Sequence, residues 1–218
     1  MTVSVFRGWV LEILHWYGRR QFERSFRRAK PFDVGGIRVF DIHDGEGQDA
    51  AAAEARRITS LRSALKLIRD SQPTCFRWLT QGHRIVCVQD LPGGVAHSPT
   101  LAAMLVESEF AETKSAEVVG AYLVHEAVRS RLWRSTRDQR VFRSVRTEVR
   151  CARAMLEFIN SVPSASYLIQ WAEETLRRSK DPAIAQAAHR VFDLERWENM
   201  AGAGIRGRLS RFMRSLVE

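Results

Sequence analysis

Val141, Val145, Glu148, Ala152, Met155 and Ile159 are spaced four, three, four, three and four, so they share one face of a helix. Five of the six are apolar and the other is a carboxylate. Such a face belongs in a core. A carboxylate there demands a cation, a metal or several hydrogen-bond donors, because an unpaired interior charge is very costly. The chain must therefore fold so that another element brings a partner to Glu148.

The preceding segment offers one. Glu117 to Trp133 reads as a helix with an apolar run at its start. Val118, Tyr122, His125, Arg129 and Leu132 fall on one face, with Glu126 at its edge beside His125. Ser115 suits the N-cap, and Glu117 lies in the first turn, where negative charge suits the helix dipole. This helix is expected to end near Arg134. The next should run from about Asp138 to Ser161 and stop at Val162-Pro163. The polar anomalies of the two helices predict each other: His125 and Arg129 should meet Glu148.

The remaining pattern is mixed. Pro31 and Gly35-Gly36 mark a turn, and Ile37 to Ile42 reads as a strand. Asp41, His43 and Asp44 are metal-capable but read as a solvated turn. Ala50 to Asp70 reads as a helix, with Ile58, Leu61, Leu65 and Ile68 on one face. Arg56, Arg57, Arg62 and Arg69 lie mostly off that face, and Gln72-Pro73 should break the helix. Arg84 to Gln89 is the clearest strand, its continuous apolar centre fitting cover on both sides. Ala103 to Phe110 fits either another strand or a short helix, with a strand ending a hairpin preferred. After Pro163, Ser166 to Ser179 is a helix with Leu168, Trp171, Ala172 and Thr175 on one face. Another starts at Asp181-Pro182 and runs to about Met200. The fold class is α+β, a small N-terminal sheet followed by a helical C-terminal half.

Charge divides the chain further. Residues 1–30 hold seven basic and two acidic side chains, a net of +5, on an expected amphipathic helix with Phe6, Val10, Ile13 and Tyr17 on one face. Residues 201–218 form a second basic helix around Arg206, Arg208, Arg211 and Arg214. These arms flank a domain spanning 31–200. The whole chain carries +9, which favours an anionic membrane surface or an acidic partner. Nucleic acid is less favoured, because the interleaving of aromatic and basic residues found in its binding modules is absent. No apolar run is long enough to span a bilayer. Val3 to Leu14 is interrupted by Arg7 and Glu12, which argues against a secretory signal. Three scattered cysteines, Cys75, Cys87 and Cys151, fit a reducing cytoplasm, with peripheral membrane attachment open to the basic arms. Phosphate-binding glycine loops, a Gly-x-Ser-x-Gly elbow and Cys-x-x-Cys are all missing.

His125-Glu126-Ala127-Val128-Arg129 resembles the His-Glu-x-x-His signature of zinc metallopeptidases, the zincins, with its last histidine replaced. Leu123 to Ala127 with Arg131-Leu132 also resembles bacterial proteins of unassigned function. Their pattern runs approximately Leu-Val-His-Glu-Ala-Thr-His-Ala-Arg-Leu, followed by an Arg-x-Glu-x-x-Cys segment that Arg146 to Cys151 nearly matches. The likeness covers roughly residues 80–165. It implies a zincin-like active-site helix, zinc as cofactor, His125 as first ligand, Glu126 as general base and Glu148 as third ligand on the next helix.

Arg129 breaks that assignment. A guanidinium has no free lone pair and stays protonated, so it cannot ligate a metal. Two protein ligands are too few for a catalytic zinc. His43, His83 and His97, in or beside the sheet, are the histidines that could supply another. The expectation instead is that Arg129 fills the metal position with a permanent cation paired to Glu126 and Glu148. The frame would then be a peptidase's without its activity, a pseudoenzyme.

Overall fold

The computed structural model of the chain describes residues 31–41, 49–82, 85–89, 94–98, 103–136, 141 and 144–183. The basic arms expected over 1–30 and 201–218, the helix expected to reach Met200, and His43, Asp44 and His83 lie outside them.

Five strands form one mixed sheet in the order β1-β2-β3-β5-β4. They are β1 (Phe32–Val34), β2 (Ile37–Asp41), β3 (Ile85–Gln89), β4 (Val95–Ser98) and β5 (Ala103–Glu107). The Gly35-Gly36 turn joins β1 to β2 as an antiparallel hairpin, with Phe32 opposite Val39. Both glycines have positive φ, 61° and 87°, as a two-residue turn of this twist requires. Asp33 Oδ1 accepts the Gly36 N–H at 3.0 Å and steadies it. The central strands β2, β3 and β5 run parallel. The chain leaves β3 for the edge, forms β4, and turns back as β5 between them, so β4 lies antiparallel on β5. Ala103–Glu107 is therefore a strand ending a hairpin, whereas Ser108 to Phe110, expected to continue it, begin the next helix. In β5, Ala103, Met104, Leu105 and Val106 are all buried, so this strand is covered on both faces.

The helices are α1 (Ala50–Ser71), α2 (Pro73–Gly82), α3 (Ser108–Thr113), α4 (Ala116–Thr136), α5 (Val145–Ser161) and α6 (Ile169–Arg178). A 3-10 stretch, Pro163–Leu168, precedes α6. Pro73 ends α1, but a second helix begins at that same proline. Proline at a first helical position costs nothing, since its missing N–H would have no partner there. Helix α5 starts at Val145 rather than near Asp138. Ser144 is extended, with φ −81° and ψ 148°, and its Oγ accepts the Thr147 N–H. Val141 consequently leaves the core face it was expected to join and is 37% exposed. The helix expected to begin at Ser166 takes up regular α-geometry only at Ile169.

Helix α4 is the centre of the fold. It packs against α1, α2, α5 and the edge strand β4. Burial runs around it, from Val119, Ala121 and Leu123 to Val124, Ala127, Val128 and Ser130, as for a helix enclosed on all sides. Phe110, Tyr122 and Trp171 stack in a row that ties α3, α4 and α6 together, with ring centroids 5.1 and 5.7 Å apart. Arg57, expected on the solvated side of α1, is instead 3% exposed. Its Nε donates to Asp41 Oδ2 at 2.8 Å, and its Nη1 lies 3.4 Å from Glu112. Asp41 therefore ends β2 in a buried ion pair, not in a solvated turn.

Gly120 marks the tightest crossing of α4 with α5. A Cβ placed there would lie 2.8 Å from Phe158 Cζ, and Phe158 is fully buried. Alanine in a helix interior gains about 1 kcal/mol over glycine, whereas overpacking a dense core costs roughly 1–3 kcal/mol. Gly120→Ala should therefore destabilise the protein by about 1 kcal/mol, seen as a lower urea midpoint with an unchanged m-value.

Candidate functional site: a buried carboxylate–arginine cluster

Four polar side chains converge where α4 passes the first turn of α5. Arg129 Nη2 donates to both oxygens of Glu148, at 2.7 and 2.6 Å. Arg129 Nε stands 3.5 Å from Glu126 Oε1. His125 Nδ1 lies 2.9 Å from the same Glu126 oxygen, and its Nε2 lies 3.8 Å from Glu148 Oε2. His125, Arg129 and Glu148 thus meet, as the spacing of the two helices predicted. The pairing with Glu148 is not the two-nitrogen fork that guanidinium and carboxylate often make, since one nitrogen serves both oxygens.

Local sequence explains why each group sits where it does. His125 and Arg129 are one turn apart and face α5, while Glu126 is turned toward the sheet. The later start of α5 puts Glu148 in that helix's first turn, four residues after the Ser144 cap. The positive end of the α5 dipole then adds to the guanidinium in holding Glu148 charged.

Glu126 is only 5% exposed, and both its oxygens are used. Oε1 faces His125 and Arg129, and Oε2 accepts the backbone N–H of His97 on β4 at 3.0 Å. Burial alone would raise its pKa. The Arg129 charge, the His125 hydrogen bond and the nearby His97 ring outweigh burial and lower it from the ordinary 4.5 to about 2. Between Glu126 and Glu148, Arg129 is held charged above its already high pKa, despite a desolvation that opposes charge. Cys151 completes the floor. It is fully buried one turn beyond Glu148 and in hydrogen-bond contact with Arg129. Burial pushes its thiol pKa far up, so it is a neutral packing group and no nucleophile.

His97 is the sheet histidine that reaches the cluster, through its backbone and its ring. Nothing in its spacing singled it out, because strand and helix meet only through the tertiary fold. Cys151 was readable, lying three residues after Glu148 on the same side of a helix. Among the described residues, no three of His, Cys, Asp and Glu are grouped so as to hold a metal ion. The Arg129 guanidinium lies between the carboxylates of Glu126 and Glu148. No helix of the described residues is long and apolar enough to cross a membrane. The chain matches no family model, no curated protein and no solved structure.

Two outcomes follow from this geometry. A carboxylate held at a low pKa in the fold stabilises it above its unfolded pKa and loses that contribution as pH falls through the folded value. The stability contributed by Glu126 should be complete above pH 4.5 and vanish toward about 2. The loss is on the order of 3 kcal/mol, and the difference in pH-dependent urea midpoints between wild type and Glu126→Gln measures it. Arg129→Leu strands two buried carboxylates and should cost about 3–5 kcal/mol, whereas Arg129→Leu with Glu148→Leu should recover much of that loss. Chemical denaturation of both variants checks the order.

Proposed function

We propose that the chain is a zincin-like protein in which Arg129 takes the place of the metal, leaving a peptidase frame without hydrolytic activity. The observation that carries this reading is the Arg129 guanidinium seated between Glu148, at 2.6 and 2.7 Å, and Glu126, at 3.5 Å. In the resemblance drawn from the sequence, those carboxylates are the third ligand and the general base. The Arg129 cation offsets one of their two charges, and Glu126 is further served by His125 and the His97 N–H, so the carboxylates have partners without zinc. Glu126 fits the reading too. A general base works best with a pKa near the operating pH and with a lone pair open to water. This carboxylate has a pKa near 2, with one oxygen bonded to the backbone of β4 and the other to His125.

A chain of this kind acts by binding. Its net charge of +9 favours an anionic membrane surface or an acidic partner in the cytoplasm. Binding to anionic vesicles should weaken steeply as salt rises, because surface charges are screened within a Debye length.

Metal analysis of protein purified without chelators tests the central claim. Wild type should carry no stoichiometric zinc. Zinc at one equivalent, lost in His125→Ala, would sink the proposal. Arg129→His should gain zinc through His125, Glu148 and the introduced imidazole. If that variant folds and binds none, the frame is not a zincin's.

A further inference from the structure

Away from the cluster, the β1–β2 turn, α1 and α2 enclose a small cavity of about 120 Å³. Its floor is apolar: Leu65 is fully buried, and Val34 and Phe76 pack against the core beside it. The turn closes one end, its backbone so near Phe76 that a Cβ on Gly35 would stand 3.0 Å from the ring. The rim is cationic. Arg62, Lys66 and Arg69 are spaced four and three along α1, so all three stand on one side of that helix and line the cavity mouth. Asp70 lies 3.2 Å from Arg69 Nε, and Asp33 of the turn is engaged with the Gly36 N–H. Among the described residues, Arg62 and Lys66 take part in no ion pair. The three exposed cations leave a positive edge along the α1 side of an apolar pit.

We infer that this cavity is a binding site for a small carboxylate carrying one aromatic ring or an apolar group of like size. The volume sets the size limit, since an engineered apolar cavity of about 150 Å³ holds one benzene. The floor would take the ring, which desolvates on entry. The rim would take the carboxylate, with Arg62 and Lys66 as the free cations and Arg69 shared with Asp70. A neutral ring would lack the charge contact, and a carboxylate without a ring would leave the floor empty. The same rim on a flat helix would be an ordinary solvated face. The apolar pit beneath it selects an amphiphile over a simple anion.

Titration of the full chain with benzoate, followed by amide chemical shifts, tests this. Saturable shifts should appear at Gly35, Leu65 and Phe76. Benzyl alcohol and acetate should each bind at least about fivefold more weakly. The double variant Arg62→Gln/Lys66→Gln, which alters only exposed side chains, should lose about fivefold in benzoate affinity with an unchanged circular dichroism spectrum. Benzoate that leaves those three amides unmoved would overturn the site. So would equal affinity for benzyl alcohol or acetate, or unchanged affinity in the double variant.

Discussion

The fold depends on one arrangement: a guanidinium held between two carboxylates at the crossing of two helices. Removing charges from water is expensive, and their attraction repays that cost only with close geometry and satisfied hydrogen bonds. Here Arg129 meets Glu148 through both carboxylate oxygens, and Glu126 is completed by His125 and by a strand N–H. Three elements (α4, α5 and β4) have to be in register for the cluster to close. Hydrophobic burial holds the helices together, and Met155, Phe158 and Ile159 supply it on the α5 side. That burial has no direction, so it leaves rotation and register open. The charges fix them, because a helix turned by one residue would bury a carboxylate without its cation.

A second cluster repeats the device. Arg57 of α1 is buried against Asp41 at the end of β2 and approaches Glu112 of α3. Arg56 reaches Glu112 from outside at 2.6 Å. This second cluster joins the sheet to α1 and α3, as the first joins it to α4 and α5. The two differ in symmetry. At Arg129 one cation serves two carboxylates, with His125 beside them. At Glu112 two arginines converge on one exposed-side carboxylate and one buried aspartate. The first therefore carries an excess of negative charge on its carboxylates, and the second matches two cations to two carboxylates.

Much of this was readable because helical spacing is a local property. The faces of α4 and α5 follow from intervals of three and four, and a lone carboxylate on an apolar face names its need for a partner. The strands β2 and β3 were readable from their β-branched runs, whereas β5, with Val106 as its one β-branched residue, fitted a short helix as well. What escaped depended on tertiary context. Pro73 ends one helix and begins another, and only packing distinguishes a break from a bend. Ser144 competes with the apolar periodicity that would have carried α5 back to Asp138, and its cap geometry wins. Arg57 looks like any solvated arginine until β2 places Asp41 beside it. His97 was one of three candidate histidines, and no spacing could single it out, since its strand N–H meets a helix only through the tertiary fold.

That N–H bears on what the site can do. Gly94 O accepts from Glu107 N at 2.7 Å, so Gly94 faces β5 across the antiparallel pair. Alternate residues of such a strand point their backbone groups in opposite directions, so His97 points its own away from β5, off the sheet edge. An open sheet edge is where an extended peptide adds as a further strand, but this one is covered by α4, and Val95 and His97 are buried. Glu126 Oε2 already accepts that N–H at 3.0 Å. A peptide laid along β4 would have to displace a carboxylate that is also bound to His125 and attracted by Arg129. The same buried carboxylate that pairs with Arg129 and His125 therefore also ties the edge strand to α4.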